Sequence, residues 1–476
     1  MLAYVPASDP EPRPRHAVAR AVALWLALLA SLQVRPLDPE LLMPLILTAG
    51  LIVVTVAVCS RMAGWTSARR WLSPMAPAWL LVLFGLLVSG NGMVSELGRG
   101  PLLTSLLLAV LVGACVAAGL PRQQGRDWPF WGFVCLAGGL AMLHVARSSD
   151  SSDVLVAVHD ASRALLAGHD PYAITLPNPY GAGLTEQYYS PDVLVGGRLD
   201  FGFPYLPAAL LGYLPGYLLG DVRFASVVAL VLVAVLLRRL ARDEVGRVVA
   251  LVPLTLPLLP LTLEMGWVEP VVALFLVWTV SASVRGSRMR SGLALGCFLA
   301  SKQYLVVVLP LLLPLARRLG RGVVIAGLGV ATLLVLAFAA WGPTAFVRSV
   351  VELHLNQPYR PDSVSLAVAW GNTFGRWPAW TYGLPPLMAG LAVSSLVAWR
   401  SRPGPASFSL GMGLSLLATV LLSKQAYGNY YMLIEIALVL GVVTWGAGWG
   451  GGSSSDEEVV AEPSGTARGP ELVVAP

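Results

Sequence analysis

The chain has 476 residues, of which 56% are hydrophobic and 12% are charged. Soluble globular proteins usually carry about 25% charged residues, so about half of the usual polar surface is missing. This composition excludes a soluble enzyme and predicts an integral membrane protein. The net charge of +6 does not indicate a nucleic-acid partner, because the arginines cluster at the ends of apolar segments, where they set membrane orientation.

Apolar segments recur along most of the chain without a soluble block between them, which predicts one membrane domain over residues 18–448. Residues 1–17 are rich in proline and arginine and are predicted to form a disordered cytoplasmic tail. Residues 449–476 are rich in glycine and serine, include an acidic run, and are predicted to form a second disordered cytoplasmic tail.

The membrane domain is predicted to be an all-α polytopic bundle of about 12–13 transmembrane helices, since a helix needs about 20 apolar residues to cross the hydrocarbon core. The predicted spans are 18–35, 41–59, 75–91, 101–120, 129–146, 222–240, 247–264, 267–284, 321–341, 384–399, 406–423 and 428–448.

Two further apolar segments, 205–219 and 291–316, do not fit continuous spans, and the second contains Ser301-Lys302-Gln303. If the first is re-entrant or interfacial and the second is a broken helical hairpin, all the arginine clusters fall on one side, which the positive-inside rule assigns to the cytoplasm. The two long loops, 147–204 and 342–383, then face outward. Broken helices need protein or a water-filled cavity around their backbone, so an outward-facing cavity is predicted.

Only two of the 32 basic residues are lysines, and each lies in a Ser-Lys-Gln tripeptide, at 301–303 and at 423–425. A lysine at the bilayer centre costs about 2.5–3.5 kcal/mol on insertion scales. Lys302 is therefore expected to have a partner or a cavity, and a compact cation suits a phosphate. Lys424 is a second candidate for substrate contact, with an interfacial lysine as the alternative.

Three further polar residues lie next to predicted spans. Glu264 and Glu269 bracket an outward turn and are candidate substrate-binding residues, with a polar interfacial turn as the alternative. Arg223 is a candidate phosphate ligand, and a helix-terminal pair with Asp221 is the alternative.

The first outward loop is predicted to contain a helix over 154–167, with Asp153 at its N-cap and Gly168 closing it before Pro171. An aromatic and proline-rich stretch that includes Tyr205 follows. Aromatic rings beside polar side chains suit sugars, although an interfacial aromatic belt has the same composition.

These residues resemble the GT-C glycosyltransferases, and among them the polyprenyl-phosphate-mannose-dependent mannosyltransferases of glycosyltransferase family 87. The motifs occur in the family's order over roughly 150–365. They are Asp153-Val154 with the following helix, Leu165 to Tyr172, Phe203 to Pro207, Gly220 to Arg223, Ser301-Lys302-Gln303, and His354 to Ser363. One departure is that four predicted spans precede the helix of Asp153, where the family often has one.

The resemblance implies a GT-C-like bundle and an inverting transfer of a sugar, with mannose favoured, from a polyprenyl-phosphate donor at the outer face of the plasma membrane. Such a reaction needs one general base but no strong general acid, because phosphate is a competent leaving group. Asp153 is the predicted base, with Asp150 in reserve. Cations then stabilise the charge that grows on the phosphate, and the candidates are Lys302, His354, Arg360 and Arg223.

Each of these cations has a structural alternative, such as a surface histidine at 354 or a local pair of Arg360 with Asp362. The expected partners are a lipid-phosphate sugar, a glycan or glycolipid acceptor and membrane lipids, with no cofactor and no metal. A flippase or transporter of lipid-linked sugars is the main alternative, since broken helices and an intramembrane lysine suit it too. A non-catalytic membrane scaffold would keep the topology without needing Asp153 or Lys302.

Overall fold

The computed structural model describes residues 127–149, 151–256, 258–360, 362–377, 384–401 and 403–446. These residues form an all-α membrane fold, as predicted from the composition. The predicted tails 1–17 and 449–476 and the first four predicted spans lie outside the described residues, and so does Asp150.

The helices follow the predicted spans closely in most of the described chain. In chain order they are α1 (Trp128–Arg147), α2 (Asp153–Leu166), α3 (Ala182–Tyr188), α4 (Pro207–Leu218), α5 (Arg223–Leu240), α6 (Glu244–Val249), α7 (Leu259–Glu264), α8 (Glu269–Val284), α9 (Arg288–Leu299), α10 (Leu312–Leu319), α11 (Arg321–Trp341), α12 (Pro343–Val347), α13 (Leu353–Asn356), α14 (Leu366–Phe374), α15 (Pro385–Arg400), α16 (Pro405–Leu422) and α17 (Gly428–Gly446). Short 3-10 segments cover Pro191–Val193, Val252–Leu254 and Gln303–Leu311, and a π turn covers Arg348–Glu352.

Within the described residues, four helices are long and apolar enough to cross a membrane, namely α1, α11, α16 and α17. Helices α4 and α5 form a fifth candidate, bent by 108°, which agrees with the prediction that 205–219 does not continue a straight span. The total of about 12–13 spans includes residues outside the described part of the chain and stays a prediction.

Helix α17 lies at the centre of the bundle, whereas α11 lies at its edge. Over an apolar stretch of 18 residues in each helix, 89% of α17 is buried but only 17% of α11. Leu333 of α11 is 70% exposed, which suits a side chain that faces lipid. On its other side α11 packs closely on α9, where a Cβ at Gly296 would lie 2.4 Å from the Cβ of Val330. Glycine is therefore required at 296 for the two helices to approach.

The predicted continuous span 247–264 is wrong. The chain forms α6, the 3-10 turn Val252–Leu254 and α7 instead. Pro253 and Pro260 explain the breaks, since proline lacks the N–H that a continuous helix needs. The segment 291–316 is interrupted as predicted: α9 ends at Leu299, and the 3-10 turn begins at Gln303.

The first predicted outer loop has structure of its own. It contains α2, α3 and a small antiparallel sheet of β1 (Leu176–Pro177), β2 (Leu194–Val195) and β3 (Arg198–Leu199), with β3 in the middle. Leu176 and Leu199 pair in this sheet and are fully buried, together with Ala157 of α2. This core fixes the loop on α2, the helix that begins at Asp153.

Candidate functional site

Helix α2 begins one residue earlier than predicted, and its N-cap is Ser152 rather than Asp153. The Ser152 hydroxyl accepts a hydrogen bond from Leu155 N at 3.0 Å and donates one to Met265 O at 2.6 Å. Serine and aspartate cap equally well, so the sequence did not decide between them. Asp153 is instead the first helical residue, and Gly168 follows the helix with φ +76°, as predicted.

The Asp153 carboxylate is held by two tyrosines of the same loop. Tyr180 Oη donates to Asp153 Oδ1 at 3.0 Å, and Tyr189 Oη donates to Asp153 Oδ2. Burial raises the pKa of both phenols, and the nearby Asp153 charge raises it further. The two tyrosines therefore stay protonated and act as donors. We call Asp153, Tyr180 and Tyr189 the Asp153 cluster.

The second predicted outer loop brings Arg360 to this cluster. Arg360 forms a bidentate ion pair with Asp362, at 2.8 and 2.7 Å. Its guanidinium carbon lies 3.2 Å from the centre of the Tyr188 ring, and Tyr188 packs edge-on against Tyr180 at 5.0 Å. Burial lowers the pKa of Arg360, but the bond to Asp362 and the charges of Asp362, Tyr427 and Tyr188 together raise it by more, so Arg360 stays a cation.

His354 lies further along the same face of the site. Its Nε2 is 2.9 Å from Pro204 O, and its ring stacks on Tyr205 with centroids 6.3 Å apart. Gln303 Nε2 donates to Pro204 O and to Val350 O, both at 3.2 Å. Burial lowers the pKa of His354, so the imidazole is neutral at pH 7, and its Nε2–H donates to the Pro204 carbonyl.

Lys302 has the partner that the sequence predicted it would need. It is 2% exposed, and its Nζ lies 2.7 Å from Oε1 of Glu269, which is fully buried. The ammonium also lies 4.0 Å from the centre of the Tyr205 ring. Glu269 is thus the counter-ion of Lys302, and Tyr205 links this pair to His354. A role for Lys302 in phosphate binding stays a prediction.

The other predicted site residues have local partners. Arg223 pairs with Asp221 at 2.7 Å and donates to Val145 O at 3.1 Å, which is the helix-terminal arrangement. Glu264 lies 3.0 Å from Nε2 of His144. Lys424 donates to two backbone carbonyls of the second outer loop, at 2.6 and 3.0 Å. Their predicted substrate contacts remain predictions.

A cavity of about 320 Å³ opens beside Lys302, between the 3-10 turn and α11. Its polar lining consists of Lys302, Gln303 and Thr332, and the remaining residues are aliphatic. Among the described residues, no group of three or more His, Cys, Asp or Glu could hold a metal ion. The site therefore combines a carboxylate, cations and an apolar cavity.

Residues 201–423 match the model of glycosyltransferase family 87. This segment contains Tyr205, Lys302, His354 and Arg360, whereas Asp153 precedes it. No curated protein and no solved structure matches the chain. The family match confirms the resemblance that the motifs predicted. The match covers just under half of the chain, and it supports a membrane glycosyltransferase that is similar to family 87 over residues 201–423.

Proposed function

We propose that this glycosyltransferase is an inverting enzyme that takes a sugar, with mannose favoured, from a polyprenyl-phosphate donor. The acceptor is a lipid-linked or cell-envelope glycan at the outer face of the plasma membrane. The observation that carries the proposal is the meeting of two loops: Arg360, from a separate segment of the chain, packs on Tyr188, and Tyr188 packs on Tyr180 of the Asp153 cluster. A carboxylate beside a cation is what a transfer to an uncharged hydroxyl from a phosphate needs.

In the proposed reaction, Asp153 is the general base. The acceptor hydroxyl attacks the anomeric carbon from the face opposite the phosphate, and its proton passes to the Asp153 carboxylate. The bond between the anomeric carbon and the phosphate oxygen breaks, and its electron pair remains on the phosphate. Tyr180 and Tyr189 orient the carboxylate through their hydroxyls. This orientation favours alignment of the base with the acceptor hydroxyl.

The charge that develops on the leaving phosphate is stabilised by cations and donors of the second outer loop and the helix break. Arg360 is the strongest candidate, because it is charged and stands next to the Asp153 cluster. His354 and Lys302 are further candidates beside Tyr205, and Lys302, like Arg360, is already paired with a carboxylate. A donor phosphate that reaches Lys302 would share its ammonium with Glu269.

The lipid part of the donor is supported by the apolar cavity beside Lys302, because an isoprenoid chain can enter it while its phosphate stays near polar groups. The outward orientation is supported by the arginine distribution, which predicts that both termini lie in the cytoplasm. Nucleotide sugars are absent outside the cytoplasmic membrane, so a transferase that faces outward needs a lipid-carried donor.

The direct test is a donor panel on the purified protein in nanodiscs. We expect transfer from radiolabelled polyprenyl-phosphate mannose to an acceptor extract, no transfer from nucleotide sugars, and a product whose anomeric configuration is opposite to that of the donor by NMR. A retained configuration would contradict the single-base mechanism. Absence of transfer from every polyprenyl-phosphate sugar, with movement of lipid-linked sugars between leaflets, would support the flippase alternative.

A further inference from the structure

The second Ser-Lys-Gln tripeptide contacts a segment that has too few hydrogen-bond donors of its own. The described residues between the end of α13 at Asn356 and the start of α14 at Leu366 contain no helix. Pro358 and Pro361 have no N–H, so this stretch is poor in internal hydrogen bonds. Its carbonyls therefore need donors from elsewhere in the fold.

Lys424 and Gln425 supply these donors. Lys424 Nζ donates to Leu355 O at 3.0 Å and to Gln357 O at 2.6 Å, and Gln425 Nε2 donates to Pro358 O at 3.2 Å. Three carbonyls within four residues are thus bound by two adjacent side chains. The backbone bond from Val364 N to Ala426 O at 2.7 Å continues the contact.

The segment whose carbonyls Lys424 and Gln425 bind contains two of the proposed phosphate-binding residues. His354 precedes the first bound carbonyl by one residue, and Arg360 follows the last by two. The first tripeptide makes the corresponding bond, since Gln303 donates to Pro204 O beside Tyr205. Each glutamine of the repeated tripeptide therefore binds a proline carbonyl one or two residues before a residue of the site.

We propose that Lys424 and Gln425 are positioning residues, which hold residues 353–360 so that His354 and Arg360 keep their places beside Tyr205 and the Asp153 cluster. This inference rests on the proposed function, in which those two residues contact the donor phosphate. Lys424 then acts through the backbone of the loop, and its ammonium is occupied by carbonyls rather than by the donor.

Hydrogen–deuterium exchange in nanodiscs tests the positioning directly, without substrate. In the double variant Lys424→Met with Gln425→Leu, the amides of 353–360 should exchange about tenfold faster than in the wild type, because the hydrogen bonds that hold the segment are lost. Amides of the sheet in the first loop should not change. Ser423→Ala is the matched control, since the Ser423 hydroxyl donates to Thr419 O of the preceding helix and to no other group among the described residues.

Kinetic measurements then show whether holding residues 353–360 in place matters for donor binding. The donor KM should rise about tenfold in the double variant, with kcat changed less, because a loose segment must be ordered when the donor binds. Lys424→Arg should restore most of the donor affinity, since a guanidinium can also donate to two carbonyls. Size-exclusion profiles identify any variant that fails to fold, and the single variant Gln425→Leu then takes its place.

Two results would overturn the inference. Unchanged exchange of 353–360 together with a raised KM would mean that Lys424 contacts the donor itself. Faster exchange with an unchanged KM would mean that the segment is held for stability alone. Failure of the proposed function would show in the wild-type protein as absence of transfer, which is distinct from either result.

Discussion

The two Ser-Lys-Gln tripeptides place the same side chains in different surroundings. Lys302 is 2% exposed and neutralised by Glu269, whereas Lys424 is partly exposed and binds backbone carbonyls. The two glutamines make the same kind of contact, because each donates a hydrogen bond to a proline carbonyl of a predicted outer loop. The difference between the lysines follows from burial: an ammonium in the interior needs a full counter-charge, while one near water can rely on carbonyl dipoles.

The largest expected effect is on stability at the buried pair. Lys302→Met should lower the free energy of unfolding by about 3–5 kcal/mol, because Glu269 is left as an unpaired buried charge. Lys424→Met should cost only about 1–2 kcal/mol, because water can reach the carbonyls that it leaves. Thermal unfolding of the variants in one detergent measures the difference.

A double variant sharpens this comparison. Replacing both Lys302 and Glu269 by methionine removes the unpaired charge, so the double variant should be more stable than Lys302→Met alone. Equal losses for Lys302→Met and Lys424→Met would show that the two lysines are equivalent. A double variant no more stable than Lys302→Met would show that the unpaired charge of Glu269 is not the source of the loss.

A smaller effect is expected at His354, which lies between the two tripeptides. Burial lowers the pKa of its imidazole below 6.5, and the charges of Lys302 and Lys424 lower it further, against the bond to Pro204. The unfolded imidazole takes up a proton near pH 6.5, and the folded one only at lower pH. The free energy of unfolding therefore has its full value above pH 6.5. It decreases as the pH falls below 6.5, by about 1 kcal/mol at pH 5.5.

The measurement is the change in Tm between pH 7.5 and pH 5.5. His354→Gln removes the titrating group while keeping an amide donor for Pro204 O, so its Tm should fall less than that of the wild type. An equal fall in both proteins would assign the pH dependence to other groups.

Structural features that depend on local composition were predicted well from the sequence. The spans of α1, α5, α8, α11, α16 and α17 follow from apolar length, and the interrupted segment around Lys302 follows from its polar tripeptide. The scarcity of lysine predicted that Lys302 would need a partner. Glu269 was itself a candidate, but its pairing with Lys302 depends on how residues 33 positions apart in the chain come together, which no local pattern shows.

Other features depend on tertiary contacts and were missed. Tyr180 and Tyr189 lie in the aromatic stretch of the first loop but were not singled out, because their bonds to Asp153 require the loop to fold back on α2. The cap at Ser152 was missed because its hydroxyl is fixed by the distant Met265 carbonyl. The span 247–264 was read as continuous although Pro253 and Pro260 lie within it, and here apolar length was given too much weight against the missing N–H groups.

The most direct test of the account is transfer by Asp153→Asn, which keeps the size of the side chain and removes the base. With the donor that the wild type uses, kcat should fall about 100-fold to 10,000-fold, the range expected for loss of a general base. Asp160→Asn is the matched control on the same helix, because Asp160 pairs with the exposed His159 and Arg163, and it should keep wild-type activity. If Asp153→Asn and Asp160→Asn both transfer sugar as fast as the wild type, Asp153 is not the base. Asp150 then becomes the residue to replace.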